Sequence, residues 1–352
     1  MHEVGASRKL PFEEDQMYLP RMNVPSYAEL LKRTDAPPGS AWGIFGADDE
    51  LGTVNFLTPG RILEARQCIR RGTFFNFDCS IDAFDPPILS HRKAMKHTIF
   101  GSSPHHRDDC IDSFYLQSGS QIDGLRHFRH PVHGFYNGVP DDSIKEGNPR
   151  LGVNRMAERG IIGRGVLIDV ERFLARRGEH LNYDSGEPIS VDLVDQIAVD
   201  QGVTFRSGDI LLLRTGWMKH YFQSMTAEER HSFPQRMCSP GLKQGHDTLA
   251  WIWDHQFSVC ASDNFGLECF PPISDSPFAA EVKDIPDVHP RHAAMMHAFM
   301  IPLLGLTIGE QWDFEDLAED CAQDGVWECF VAVKPLNIIG GVGSPANGFA
   351  LK

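Results

Sequence analysis

Apolar positions along the chain fall into short β-branched runs separated by amphipathic stretches, and that alternation predicts an α/β protein. Ile161–Val170 (IIGRGVLIDV) reads as a buried strand, as do Ile210–Leu213 and the short Phe257–Ala261. Further strands are predicted near Leu303–Ile308 and over Val326–Val333. Thr58-Pro59 has the form of an N-cap followed by proline at the first helical position, with a stop at Gly72. Ser190 caps a helix running to Gln201, and Gly202 ends it. Ser239-Pro240 opens a helix carrying Trp251 and Trp253, and helices are predicted at Ala293–Met300 and Phe314–Asp320. Residues 84–112, rich in proline, serine, histidine and aspartate, read as a long loop, and long loops in compact domains are more often functional than idle.

No linker-like shift in composition divides the 352 residues. Residues 41–352 are therefore expected to form one domain behind an extended arm, residues 1–40, that lies across a partner subunit in a homodimer or homotetramer. The formal net charge of −15 argues against nucleic acid and anionic membranes as partners. No apolar run approaches the roughly 20 residues that span a bilayer, and the N-terminal stretch lacks the apolar core of a signal peptide. The expected location is cytoplasmic. None of the eight cysteines forms a C-x-x-C pair, so they read as reduced core thiols rather than a zinc-thiolate site or a disulfide framework.

Candidate chemistry concentrates in one place. His91, His97, His105, His106, His127, His130 and His133 crowd a short stretch, and the densest polar patch runs from Gln117 to Gly138. In an extended strand Gln117, Gly119, Gln121 and Asp123 share a face, which would present oxygen-bearing side chains to one cation. The same residues could equally form a polar loop satisfying its own backbone. His297 is followed thirteen residues later by Glu310 across an apolar run, and an acid ending such a run costs energy unless it is paired or metal-bound. The alternative is that Glu310 begins a surface helix. Asp263 and Glu268 follow a predicted strand, where α/β sheets place ligands, although turn or salt-bridge roles suit them equally. Trp42, with Asp48, Asp49 and Asn55, could form a lid or only a turn. Trp42, Phe128, Phe135, Tyr136 and Phe265, with Asn137, would favour a planar or apolar small molecule. The glycines from Gly340 to Gly343 lack the strand–loop–helix context of a dinucleotide fingerprint, so no nucleotide cofactor is expected.

The Gln117–His127 stretch resembles the H-x-G-T-H-x-D-x-P-x-H signature of the cyclase family that includes bacterial kynurenine formamidase, isatin hydrolase and trans-dienelactone hydrolase. The signature's glycine falls on Gly119, its threonine on Ser120, its aspartate on Asp123, its proline on Leu125 and its last histidine on His127. Its first two histidines fall on Gln117 and Gln121. A larger branch reads S-G-T-Q-W-D-G-L-x-H, and SGSQIDGLRH fits that branch closely. The resemblance extends to WGIFGADDELGTVNFLTP, GVTFRSGDILLLRTGW, the His297–Glu310 segment and GVGSPANGFA. It implies a compact α/β domain with mixed β structure, barrel-like around the site and flanked by helices. It also implies a divalent metal held among Gln117, Gln121, Asp123, His297 and Glu310, with His127 in proton transfer and Asp123 and Glu310 at the reacting centre. Glutamine is a weaker ligand for zinc than imidazole, so one harder ion, Mn²⁺ or Mg²⁺, fits better than a dinuclear zinc site. The leading expectation is metal-assisted hydrolysis of an amide or lactone. A metal-free cyclase or dehydratase using Asp123 and His127, and a binding protein without catalysis, are the alternatives.

Overall fold

The computed structural model describes residues 24–285 and 294–352, in which thirteen strands form three sheets. In chain order they are β1 (Phe74–Asn76), β2 (Lys96–Ser103), β3 (His106–Asp112), β4 (Gln121–Asp123), β5 (Ile161–Asp169), β6 (Pro188–Ile189), β7 (Ile210–Arg214), β8 (Gly241–Leu242), β9 (Val259–Ser262), β10 (Thr307–Glu310), β11 (Glu328–Val333), β12 (Gly343–Pro345) and β13 (Gly348–Leu351). Nine of them make a mixed sheet in the order β1-β13-β11-β5-β7-β9-β10-β4-β12. The centre, β5-β7-β9-β10, is parallel, and both flanks are antiparallel. β12 and β13 lie towards opposite ends of this order, yet only Ala346 and Asn347 separate them. Two residues cannot bridge a flat sheet of this width, so the sheet curls until its ends approach.

The central strands are buried at almost every position, which is why they read as continuous apolar runs rather than alternating ones. Helices cover the sheet. The helix Val191–Asp200 shows the expected logic: Ser190 Oγ accepts from Leu193 N, Val191, Val194, Ile197 and Ala198 face the core, and Gly202 takes a positive φ of 69° just beyond its end. A second, smaller apolar cluster, with Phe84, Ile88, Trp217, Tyr221 and Phe233 among its members, holds part of the 84–112 segment against the main body.

Several expected elements differ. Residues 96–112 form the β2–β3 hairpin instead of a loop, almost wholly exposed. No helix starts at Ser239-Pro240, because Ser239 and Phe270 exchange backbone hydrogen bonds; the helix carrying the two tryptophans begins at His246. The strand expected from Leu303 starts only at Thr307, since residues 301–305 continue as hydrogen-bonded turns. Of the helix expected at Ala293–Met300, Ala293 lies outside the described residues and a helix is formed over His297–Met300.

Residues 1–23 of the expected arm also lie outside the described residues. Residues 24–40 do not separate from the rest of the chain. Ser26 caps a short helix, Tyr27–Leu30, whose Tyr27 and Leu30 are buried, and Trp253 Nε1 donates to Pro25 O at 2.8 Å. Burial of these two side chains draws the segment onto the same subunit, so the boundary at residue 41 does not mark the start of the folded body. No helix among the described residues is long and apolar enough to cross a membrane. All eight cysteines are free thiols.

Candidate active site

β4 is the pivot. It pairs antiparallel with β10, placing Gln121 opposite Glu310 and Asp123 opposite Ile308, and its other edge pairs with β12. Gln121 and Asp123, two residues apart, share the face on which Glu310 stands. Gly124 ends the strand: its N–H donates to Val342 O at 3.0 Å, and a Cβ there would lie 2.7 Å from that oxygen. The chain then turns through a His127 N–H bond to Gly124 O, which brings the imidazole back beside Asp123.

His297 opens its short helix from the opposite side. Its Nε2 lies 3.0 Å from Glu310 Oε1 and 3.9 Å from Asp123 Oδ2. Its Nδ1 meets Glu268 Oε1 at 2.5 Å. Glu268 is fully enclosed and also accepts from His297 N, Met296 N and Gln244 Nε2. The carboxylate thus fixes ring orientation, leaving Nε2 to face Asp123 and Glu310, the arrangement by which outer carboxylates orient metal-binding imidazoles.

The two glutamines act mainly as donors. Gln117 Nε2 donates to Asp123 Oδ1 at 2.5 Å and faces His127 Nδ1 at 3.2 Å, and Gln121 Nε2 donates to Glu310 Oε2. The Gln117 amide can only donate from its nitrogen, so His127 Nδ1 accepts and the neutral ring carries its proton on Nε2. Gln117 reaches Asp123 through a turn rather than along a strand, since β4 begins only at Gln121. The closing glycine loop seals the back of this arrangement: a Cβ on Gly343 would lie 2.7 Å from Gln117 Cδ, so the loop approaches a glutamine side chain rather than a ligand.

Charge is concentrated and dry here. Burial pushes the Glu310 carboxyl up, as does the neighbouring Asp123, while hydrogen bonds from His297 and Gln121 oppose the rise. Burial acts against a charged His297, but its bonds to Glu268 and Glu310 hold it well above the ordinary imidazole value. Burial pushes His127 down, with Asp123 opposing.

Among the described residues, ligand atoms of Asp123, His297 and Glu310 lie within 4.8 Å of one another. Asp123 Oδ2 and Gln121 Oε1 are buried with no hydrogen-bond partner. An oxygen left so typically costs about 1–3 kcal/mol, and a cation beside it removes that cost. Two carboxylates and an imidazole suit a borderline or hard divalent ion, and an ion there would favour ionised carboxylates and a neutral His297. The residues therefore fit a metal. Three of the five expected ligands converge, Gln121 offers a free oxygen, and Gln117 turns its amide nitrogen to Asp123 instead.

His297 and Glu310 of the cluster line a cavity of about 660 Å³ whose walls also include Phe128, Phe265, Phe270, Met237 and Met295. Phe128 and Phe265, expected to favour a planar or apolar small molecule, are among these walls. Trp42, Tyr136, Asn137 and Asp263 do not line it. Trp42 Nε1 donates to Pro302 O, Tyr136 OH donates to Asp49 Oδ2, and Asn137 bonds Gly43 N, Gly46 O and Asp49 O. These bonds fasten the 42–49 turn to the body, so it is a buttress rather than a lid. Asp263 is consumed by Thr215 and Gly216, whose N–H and O–H groups all donate to its carboxylate. Of the crowded histidines, His91, His97, His105 and His106 are exposed, whereas His127 alone of the seven lines the cavity. Sequence reasoning gave Glu268 no definite role and missed Arg92. An acid between Leu267 and Cys269 in a buried run was the available signal for the first; nothing local marked the second.

The family model described as "Putative cyclase" matches residues 80–269. A solved structure of a novel cyclase is 33% identical, covers 89% of this chain and 99% of its own, and superposes with a TM-score of 0.74. Isatin hydrolase A from Labrenzia aggregata, bound to benzyl benzoate, is 17% identical over 81% of this chain and 94% of its own, with a TM-score of 0.52. Isatin hydrolase A from Ralstonia solanacearum is 16% identical over 82% and 94%, with a TM-score of 0.50. No curated protein matches the sequence.

Proposed function

The chain belongs to the cyclase family, and we propose that within it this protein is a hydrolase of an amide or lactone carbonyl, assisted by one divalent metal. The observation that carries the reading is the convergence of Asp123, His297 and Glu310 around the unpartnered Asp123 Oδ2, with His297 and Glu310 lining a largely apolar cavity. Asp123, His297 and Glu310 would hold the ion, with Gln121 Oε1 as a further donor. When bound, a Mn²⁺, Mg²⁺ or Zn²⁺ ion supplies carbonyl polarisation and a water acidified towards neutral pH.

The chain's own residues do the rest. Glu268 keeps the His297 ring in place. Gln117 and Gln121 hold the Asp123 and Glu310 carboxylates through amide donors. His127, neutral and protonated on Nε2, lies at the cavity wall where that N–H can hydrogen-bond the departing nitrogen or oxygen while the leaving group takes its proton from the attacking water. Phe128, Phe265 and Phe270 exclude water and seat an apolar substrate body. Isatin hydrolases share this fold, and the reading extends hydrolysis of a carbonyl compound from them to this chain.

A second reading has its own support. His297 already bonds both Glu268 and Glu310, so a charged imidazolium could balance the carboxylates and leave Asp123 and His127 as an acid–base pair for cyclisation or dehydration without metal. The test is metal analysis of protein purified without chelator, alongside turnover of a lactone and cyclic-amide panel with and without EDTA. The hydrolase reading expects about one ion per chain and activity lost on chelation; Asp123→Ala should lose both together. Activity indifferent to chelation, with no bound metal, would overturn the metal-assisted reading in favour of the second.

A further inference from the structure

One wall of the cavity comes from the 84–112 segment, which contributes Ile88, Leu89 and Arg92. The segment is anchored by Phe84 and Ile88 in the smaller apolar cluster and by a turn in which Arg92 N donates to Leu89 O. Arg92 is half-buried. One of its donors, Nη1, bonds the backbone oxygen of Gln117, the residue whose side chain holds Asp123. The guanidinium carries four further N–H donors, and among the described residues no carboxylate forms an ion pair with it. It stands close enough to Asp123 and Glu310 for their charges to act on it.

The cavity's other arginine is in a different state. Arg129 is about half exposed and already paired with Asp141 at 3.0 Å. Arg92 therefore offers a planar, unpaired cationic fork in a chamber otherwise walled largely by phenylalanine, methionine and aliphatic carbon, one side chain away from the reacting cluster. Such a fork matches a carboxylate in shape as well as charge, and it gains strength from the apolar surroundings.

We propose that Arg92 is a specificity-determining residue that binds a carboxylate carried by the substrate, so that the substrate class is an apolar, ring-bearing compound with an acidic group beyond the scissile carbonyl. The assignment of a scissile carbonyl rests on the hydrolase reading; the anion site does not depend on turnover. The aromatic walls take the ring body, Arg92 takes the carboxylate, and the two contacts fix which carbonyl faces Asp123, His297 and His127. Arg92 also offsets the negative charge of Asp123 and Glu310, which would otherwise repel an anionic substrate.

The test is equilibrium binding by calorimetry of a matched pair, 2-naphthoate and 2-naphthamide, with EDTA present so that a metal-held anion does not contribute. The intact protein should prefer naphthoate by roughly ten- to a hundredfold, the range of a hydrogen bond between charged groups. Arg92→Gln should abolish the preference while naphthamide affinity stays within about twofold, Arg92→Lys should keep part of it, and Arg129→Gln should leave it intact. Equal binding of the two ligands by the intact protein overturns the proposal and needs no variant; so does a preference that survives Arg92→Gln or disappears with Arg129→Gln. A protein that shows the Arg92-dependent preference but turns over no lactone or amide would instead remove the hydrolase reading alone.

Discussion

Replacing Glu268 by glutamine preserves size and removes one oxygen, in a place where every lone pair is used. Oε1 accepts from His297 N at 2.9 Å and Nδ1 at 2.5 Å, and Oε2 accepts from Met296 N and Gln244 Nε2, both at 2.8 Å. A glutamine whose oxygen faces His297 turns its NH₂ on the other two donors. Gln244 cannot flip its amide without cost, because its Nε2 also donates to Cys269 O and its Oε1 accepts from Ile273 N. Two buried donors then lose their acceptor, at about 1–3 kcal/mol each, so Glu268→Gln should destabilise by roughly 2–6 kcal/mol. The charge that holds His297 high is lost as well, and outer-shell substitutions of this kind weaken metal binding by about 10–100-fold. Urea unfolding at pH 7 measures the first effect, and titration of the chelator-stripped protein with Mn²⁺ or Zn²⁺ the second. A variant that unfolds within about 0.5 kcal/mol of the parent and binds metal as tightly would show that Glu268 does not organise His297.

His127→Ala should lower kcat by about 10²–10⁴-fold while metal content and thermal midpoint hold, because the ring touches the cavity but is not needed to join Asp123, His297 and Glu310; an unchanged kcat with a lowered midpoint would make His127 structural. Burial pushes the Asp78 carboxyl up to about 6, against backbone donors from Gly348 and Asn347. The native state then holds that proton longer than the unfolded chain, a contribution complete below about pH 4 and lost as pH rises through about 6. Asp78→Asn should therefore match the parent at pH 4 and exceed it by about 1–3 kcal/mol at pH 8, and a difference in unfolding free energy that is flat across that range would contradict the assignment.

What the sequence disclosed follows from where the information is local. Ile161–Asp169 and Ile210–Arg214 were legible because both faces are buried, leaving unbroken apolar runs. Ser190 and Gly202 marked their helix because caps act within a turn. His297, Glu310 and Asp123 were reached through the family resemblance and an acid ending an apolar run. The partners of the site were not legible. Glu268 became a buried acceptor only through the fold, and Arg92 faces the cavity because Phe84 and Ile88 are held by residues more than a hundred positions later. Tyr136 and Asn137 misled because they adjoin the signature in sequence, while their bonds run to Asp49 and Gly43 on the outside of the cavity. The β2–β3 hairpin escaped detection because neither strand has a buried face to impose a period of two.

The two-residue step between β12 and β13 also bears on how fast the molecule forms. Asp123 is flanked on one side by β10 and on the other by Gly343 of β12, a pairing that spans 220 positions. Contacts of such high order pay their loop-closure entropy before they return any stabilisation, so they are slow to form. The parallel centre can assemble from nearer neighbours, whereas β4 is gripped on both edges only when the ends of the sheet meet across Ala346-Asn347. In refolding, protection of the Ile210–Arg214 amides should therefore precede protection of those in Gln121–Gly124, and catalytic competence should be among the last properties regained.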